Sequence, residues 1–281
     1  MDLAAQAHRV VAVLPLPMAV APRCRDALSR YGRALSPHPT ALKLFLAWIT
    51  AVGTLPNDQA LVAGIAADCY LAGYDLLDAV YDQDDLSLAR AELLPAAHTL
   101  LPLAQDLIGT LQVPAERRLI AMRALSHAGR RAFAGHLQDH HLRQINPALA
   151  TDANQLLWVA RQRSGSLLAG SCAAAAALAG GDWRCVGLAA RFGRCFAVAA
   201  QLEDDLDDLD EDSRTGRRTI ATAVQRAWDQ AGARDREVVR RTLWVLVRAS
   251  LREAAAALHR LPGPASRQED LWAMLPTDLR P

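Results

Sequence analysis

Eight carboxylates occupy the ten positions from Glu203 to Asp212, in LEDDLDDLDED behind the apolar run FAVAAQ. At about 100° per residue, Asp204, Asp205, Asp208 and Asp212 share an arc of roughly 100° on a helix, while Asp207 and Asp210 point elsewhere. Like charges at i,i+4 repel, so such a stripe calls for divalent cations. Hard oxygen ligands without His or Cys partners suit Mg²⁺, which binds through one or two carboxylates while substrate phosphates complete its shell. Alternatively, the cluster is an acidic solvated face or a fraying helix end.

A second cluster upstream decides between these. In CYLAGYDLLDAVYDQDD, residues 69–85, Asp75, Asp78, Asp82 and Asp85 follow 3,4,3 spacing and share an arc of roughly 80° on a helix. Two acidic stripes on helices far apart in sequence, each in apolar surroundings, are expected to face one cavity and clamp a diphosphate there. One or two turns before the first stripe stand Tyr70, Leu71 and Tyr74. They are placed either to floor an apolar pocket or to pack in the core.

The elements that must hold these residues are helical. Three- and four-residue apolar spacing predicts helices near 23–35, 40–53, 58–84, 86–110, 115–142, 150–180, 183–210, 218–230 and 234–260. Breaks are expected at Ser36 to Pro39, Gly53 to Asn57, Pro114, Asn146-Pro147, Gly180-Gly181 and Pro262 to Pro264. Strand signal is almost lacking, and no linker composition divides the chain. The expectation is one all-α domain over residues 1–281, with an N-terminal arm at 1–22 and a tail at 262–281 that Leu271, Trp272 and Leu275 could dock.

Composition narrows the function. The 281 residues are 52% hydrophobic with a formal net charge of +1, and Lys43 is the only lysine. No overall field steers the chain to nucleic acid. The arginine-rich segment RDREVVRRTLWVLVR, 234–248, reads as core packing or a dimer contact, and a homodimer is the expected assembly. The five cysteines, Cys24, Cys69, Cys172, Cys185 and Cys195, form no CxxC pair and suit buried thiols in a reducing cytoplasm.

No stable membrane insertion is expected. The early run RVVAVLPLPMAVAP lacks a strong basic region before it and carries Pro15 and Pro17, so it reads as an arm rather than a secretory signal. The run SLLAGSCAAAAALAGG at 166–181 is shorter than the roughly 20 residues of a spanning helix. Its small residues suggest close packing of helix backbones. His136, His140 and His141 lack a second His or Cys set with transition-metal spacing.

Over about residues 40–225 the order of these motifs resembles the trans-prenyl diphosphate synthases, the polyprenyl synthetase family of the class I isoprenoid synthase fold. The family's second DDxxD is similar to Asp204, Asp205 and Asp208, followed by Asp212 and by Gly216-Arg217 in place of Gly-Lys. Its Lys-Thr-Gly resembles Arg163-Ser164-Gly165, and its GQxxD resembles Gly135, His136 and Asp139 in GHLQD. The first motif departs. Tyr74 to Asp78 and Asp78 to Asp82 each lack one paired carboxylate, and the basic Arg-Arg-Gly and Gly-Gly-Lys-x-x-Arg, which hold isopentenyl diphosphate in the family, are missing.

The resemblance implies an isoprenoid synthase helical bundle with a central cavity and an allylic prenyl diphosphate substrate. It implies Mg²⁺ on Asp75, Asp78, Asp82, Asp204, Asp205, Asp208 and Asp212. Arg163 would join Asp78, Asp82, Asp204, Asp205 and Asp208 in catalysis. His136, Asp139, Ser164, Arg217 and Arg218 would line the substrate, with Tyr70, Leu71 and Tyr74 limiting the prenyl chain. The expected reaction is prenyl transfer, to isopentenyl diphosphate or to another acceptor. Terpene cyclisation and a silent regulatory subunit are the alternatives.

Overall fold

The computed structural model describes residues 21–25, 41–82, 90–144, 152–232 and 236–281, and every regular element among them is helical. After a helical stretch at 21–25 come α1 (Ala41–Val52), α2 (Asn57–Asp82), α3 (Arg90–Thr110) and α4 (Ala115–Gln144). Next are α5 (Ala153–Gln162), α6 (Ser164–Leu178), α7 (Trp183–Asp207), α8 (Leu209–Thr215), α9 (Ile220–Gln230) and α10 (Arg236–Leu258). The tail adds 3₁₀ turns at Ala265–Arg267 and Thr277–Leu279 around α11 (Glu269–Ala273). The N-terminal arm to residue 20, most of the helix expected at 23–35, and Asp85 lie outside the described residues.

Local chemistry sets several helix starts. Asp152 caps α5 by accepting from the Asn154 amide at 2.9 Å, and Asp182 caps α7 by accepting from that of Cys185 at 2.8 Å. Thr219 and Thr222 form a reciprocal capping box at α9. Each satisfies an amide that has no partner inside its helix. Pro56 and Pro114 stand just before α2 and α4, where their carbonyls accept from the first turn and a missing N–H costs nothing.

The chain divides into two compact units. The first holds residues 1–126, 171–187 and 262–274. Its centre is α2, which packs against α1 and α3. From Ala63 to Leu77 every α2 side chain is buried except Asp68 and Asp75, so its apolar length serves the core. The small residues from Cys172 to Ala179 are buried as well. Leu271 and Trp272 of the tail are buried, with α11 against α1.

The second unit holds residues 127–170, 188–261 and 275–281. Here α9 packs against α5, α8 and α10. Phe192, Val198, Leu202, Leu209, Leu243, Val247 and Leu251 are buried, and so is Leu275 of the tail. Arg280 donates to the Leu275 carbonyl at 2.8 Å.

Among the described residues two helices, Asn57–Tyr81 and Trp183–Asp207, have the length and hydropathy to cross a bilayer, and the apolar windows of the two are 78% and 50% buried inside the protein. Cys24, Cys69, Cys172 and Cys185 are buried, Cys195 is half-buried, and all five are free thiols.

Candidate active site

The second acidic stripe sits where α7 gives way to α8. The single helix expected at 183–210 breaks at Asp208, whose φ of −88° and ψ of 1° leave helical values. The turn is slight, because Asp208 N still donates to Asp204 O at 3.0 Å and Asp212 N to Asp208 O at 2.9 Å. Asp204 and Asp208 are exposed, whereas Asp205 and Asp212 are buried. Asp210 is exposed and pairs with Arg236.

Asp205 is held on both oxygens. Oδ1 accepts from Gln201 Nε2 and Oδ2 from the Ile220 amide, each at 2.9 Å. Burial raises its pKa against the lowering effect of these two bonds. Burial likewise raises that of Asp212, while Arg217 and Thr219 oppose it. Each oxygen of Asp205 keeps a further lone pair, so the bonds aim the carboxylate without exhausting it.

The same bonds run on into the motif around Arg163. Gln201 Oε1 accepts from Ser164 Oγ at 3.4 Å. Arg163 Nη1 donates to Asp139 Oδ2 at 2.6 Å, with the two side chains only 17% and 11% exposed. Such a charge-assisted bond in a sheltered place orients the guanidinium strongly. Close approach makes it possible: a Cβ on Gly135 would lie 2.8 Å from Gln162 Cβ and 3.0 Å from Arg163 N. Arg131 adds a 2.9 Å bond from Nε to Gln162 Oε1, and His136 is buried beside Gly135. The continuous helix expected at 150–180 therefore splits at Arg163, where ψ is −101°. The break is one residue long, since Arg163 N donates to Val159 O and Arg163 O accepts from Ser166 N.

After α8, Gly216 takes the left-handed φ of 75° that ends a helix without penalty. Arg217 is exposed. Half-buried Arg218 donates to the Leu142 carbonyl in the last turn of α4.

The first stripe lies on α2. Asp75 is exposed and Asp78 half-buried; Asp82 is the last residue of the helix. Tyr70, Leu71 and Tyr74 are buried. Tyr70 donates its hydroxyl to the Leu125 carbonyl at 2.8 Å, and its ring meets Tyr74 edge to face with centroids 5.0 Å apart. Burial pushes the Tyr74 phenol up to about 12.

Sequence reasoning missed two residues here. Gln201 joins Ser164 to Asp205 and stands one turn before Asp205 on the same face, a spacing that could have marked it. Asp68 stands seven residues before Asp75, so it extends the stripe by two turns toward the start of α2. It is half-buried, and burial pushes its carboxyl from 3.8 up to about 7.

Among the described residues no three His, Cys, Asp or Glu side chains form a set that would hold a metal ion by themselves. Exposed carboxylates on an all-oxygen stripe suit Mg²⁺ in the other way, with one or two protein ligands and the rest from phosphate and water.

No protein-family model matches the sequence, and no curated protein matches it. Solved structures do. A geranylgeranyl pyrophosphate synthetase from the archaeon Geoglobus acetivorans is 17% identical with a TM-score of 0.75, covering 97% of this chain and 96% of that one. An FPP/GFPP synthase from Zymomonas mobilis is 18% identical at TM-score 0.73, covering 96% and 94%. A polyprenyl synthetase from Streptomyces coelicolor A3(2) is 18% identical at TM-score 0.71, covering 97% and 95%. Over nearly its whole length, then, the chain has the all-helical fold of the prenyl diphosphate synthases.

Proposed function

We propose that the chain is a Mg²⁺-dependent enzyme that ionises an allylic prenyl diphosphate and transfers its prenyl group. The observation that carries this reading is the run of bonds through the second unit: Asp139 to Arg163, then Ser164 to Gln201 to Asp205 to Ile220. Residues from three motifs, singled out by their resemblance to the polyprenyl synthetase family, are joined there. A solvated acidic face would have no use for a buried carboxylate aimed by two donors.

In this reading Asp204 and Asp208, with Asp205 and Asp212 behind them, supply carboxylates to Mg²⁺ on the second stripe, and Asp75, Asp78 and Asp82 supply them to Mg²⁺ on the first. Bound Mg²⁺ would neutralise the charge that grows on the leaving diphosphate. Arg163, oriented by Asp139, and Arg217 and Arg218 donate to phosphate oxygens. His136 and Ser164 support that end of the substrate. Leu71 and Tyr74 offer the prenyl chain apolar walls, and Tyr70, pinned through its hydroxyl, backs Tyr74. We read the chain as a single-domain enzyme, working as a homodimer in the cytoplasm.

The test is incubation with geranyl, farnesyl or geranylgeranyl diphosphate and Mg²⁺, with and without isopentenyl diphosphate, followed by product analysis. Transfer products support the proposal. Hydrocarbons formed without an acceptor would make the chain a cyclase. No turnover, with tight binding to an active synthase, would make it a regulatory subunit.

A further inference from the structure

The second unit contains a recess of about 150 Å³ between α5, α7 and α10 that the proposed reaction does not use. Leu157, Val198, Leu202 and Leu246 form its apolar walls, while Arg161, Arg194 and Glu253 bring charge to it. Arg161 is exposed and Arg194 half-buried. Arg194 Nε is buried and has no hydrogen-bond partner among the described residues. Burial lowers the pKa of Arg194, and the like charges of Arg131 and Arg161 lower it further.

The local charges leave that cation without an answer. Glu253 is committed to Arg191, and Arg131 directs its Nε to the neutral Gln162. A sheltered guanidinium with an unmet donor is costly unless an anion meets it. The volume falls below that of a site for a drug-sized ligand, and the leucine and valine walls would shed water onto a short hydrocarbon chain.

We infer that this recess binds a small amphiphilic anion, a carboxylate or monophosphate on a short aliphatic chain, with its head on Arg161 and Arg194 and its chain against Leu157, Val198, Leu202 and Leu246. None of the residues assigned to the diphosphate takes part, so the inference stands or falls apart from the proposed reaction.

Calorimetry on the full chain tests it, with hexanoate and hexyl phosphate as probes and hexan-1-ol and inorganic phosphate as controls. Saturable binding of at least one amphiphile, with both controls at least about tenfold weaker, is expected, and the tighter amphiphile identifies the head group. Arg194→Gln should weaken that binding about tenfold or more, and Arg161→Gln, at an exposed position, should weaken it severalfold. Glu253→Gln should tighten it by removing a carboxylate that repels the ligand. Without ligand, Arg194→Gln should melt no lower than the parent, because it removes a sheltered charge that lacks a partner. Absence of saturable binding, equal binding of a control, or unchanged affinity in both arginine variants would overturn the site.

Discussion

Asp68 makes the sharpest residue-scale claim. Its carboxyl ionises at about 7 in the folded protein instead of 3.8, because burial disfavours the charged form. Between those values the native state binds more protons than the unfolded chain, so stability falls as pH rises through the window and levels off above it. Asp68→Asn keeps the shape and removes the charge. It should raise stability by about 2 kcal/mol at pH 8, allowing for partial exposure, and change little at pH 4. Urea unfolding at the two pH values reads the difference, and an equal effect at both would refute it. The acidic stripe on α2 was legible from spacing alone, but its extension to Asp68 was not. Leu71 stands between Asp68 and Asp75 on the same face, and only packing reveals that the outlying carboxylate is desolvated.

At the scale of elements, α4, α5 and α6 meet through Gly135 and the Asp139–Arg163 pair. Gly135→Ala forces a methyl to 2.8 Å from Gln162 Cβ and should cost about 1–3 kcal/mol. Asp139→Asn leaves a largely sheltered guanidinium short of its carboxylate and should cost about 2–3 kcal/mol. Thermal unfolding measures both, and near-parental melting in either variant would mean that the junction yields more easily than its distances say. Helix limits at Pro56, Pro114 and Gly180-Gly181 could be read in advance, since prolines and glycines act locally, whereas the helix expected from 150 begins only after the Asp152 cap, at Ala153. The breaks at Arg163 and Asp208 could not. Arg163 leaves the helix in a junction built with Asp139 and Gly135, which are distant in sequence, and Asp208 turns while its helical hydrogen bonds persist.

For the whole molecule, the apolar periodicity was enough to expect an all-helical bundle, and the structural matches bear out that fold. The order of the acidic and basic motifs pointed the same way, through its resemblance to that of the polyprenyl synthetase family. What the chain lacks is equally testable. Without the Arg-Arg-Gly and Gly-Gly-Lys-x-x-Arg sequences, a second diphosphate has little to offset its desolvation. Isopentenyl diphosphate should therefore bind weakly to Mg²⁺-loaded protein holding an unreactive allylic analogue. Micromolar affinity by calorimetry would restore ordinary chain elongation.

Diphosphate release from an allylic prenyl diphosphate tests the central claim most directly. It should be followed with Mg²⁺ and with chelator, in the parent and in Asp204→Ala and Asp208→Ala. Mg²⁺-dependent release by the parent is expected, falling by about 100-fold or more in each variant while the helical circular dichroism is kept. Release that persists in the variants or in chelator, or a folded parent that releases none from any allylic chain length, would contradict it.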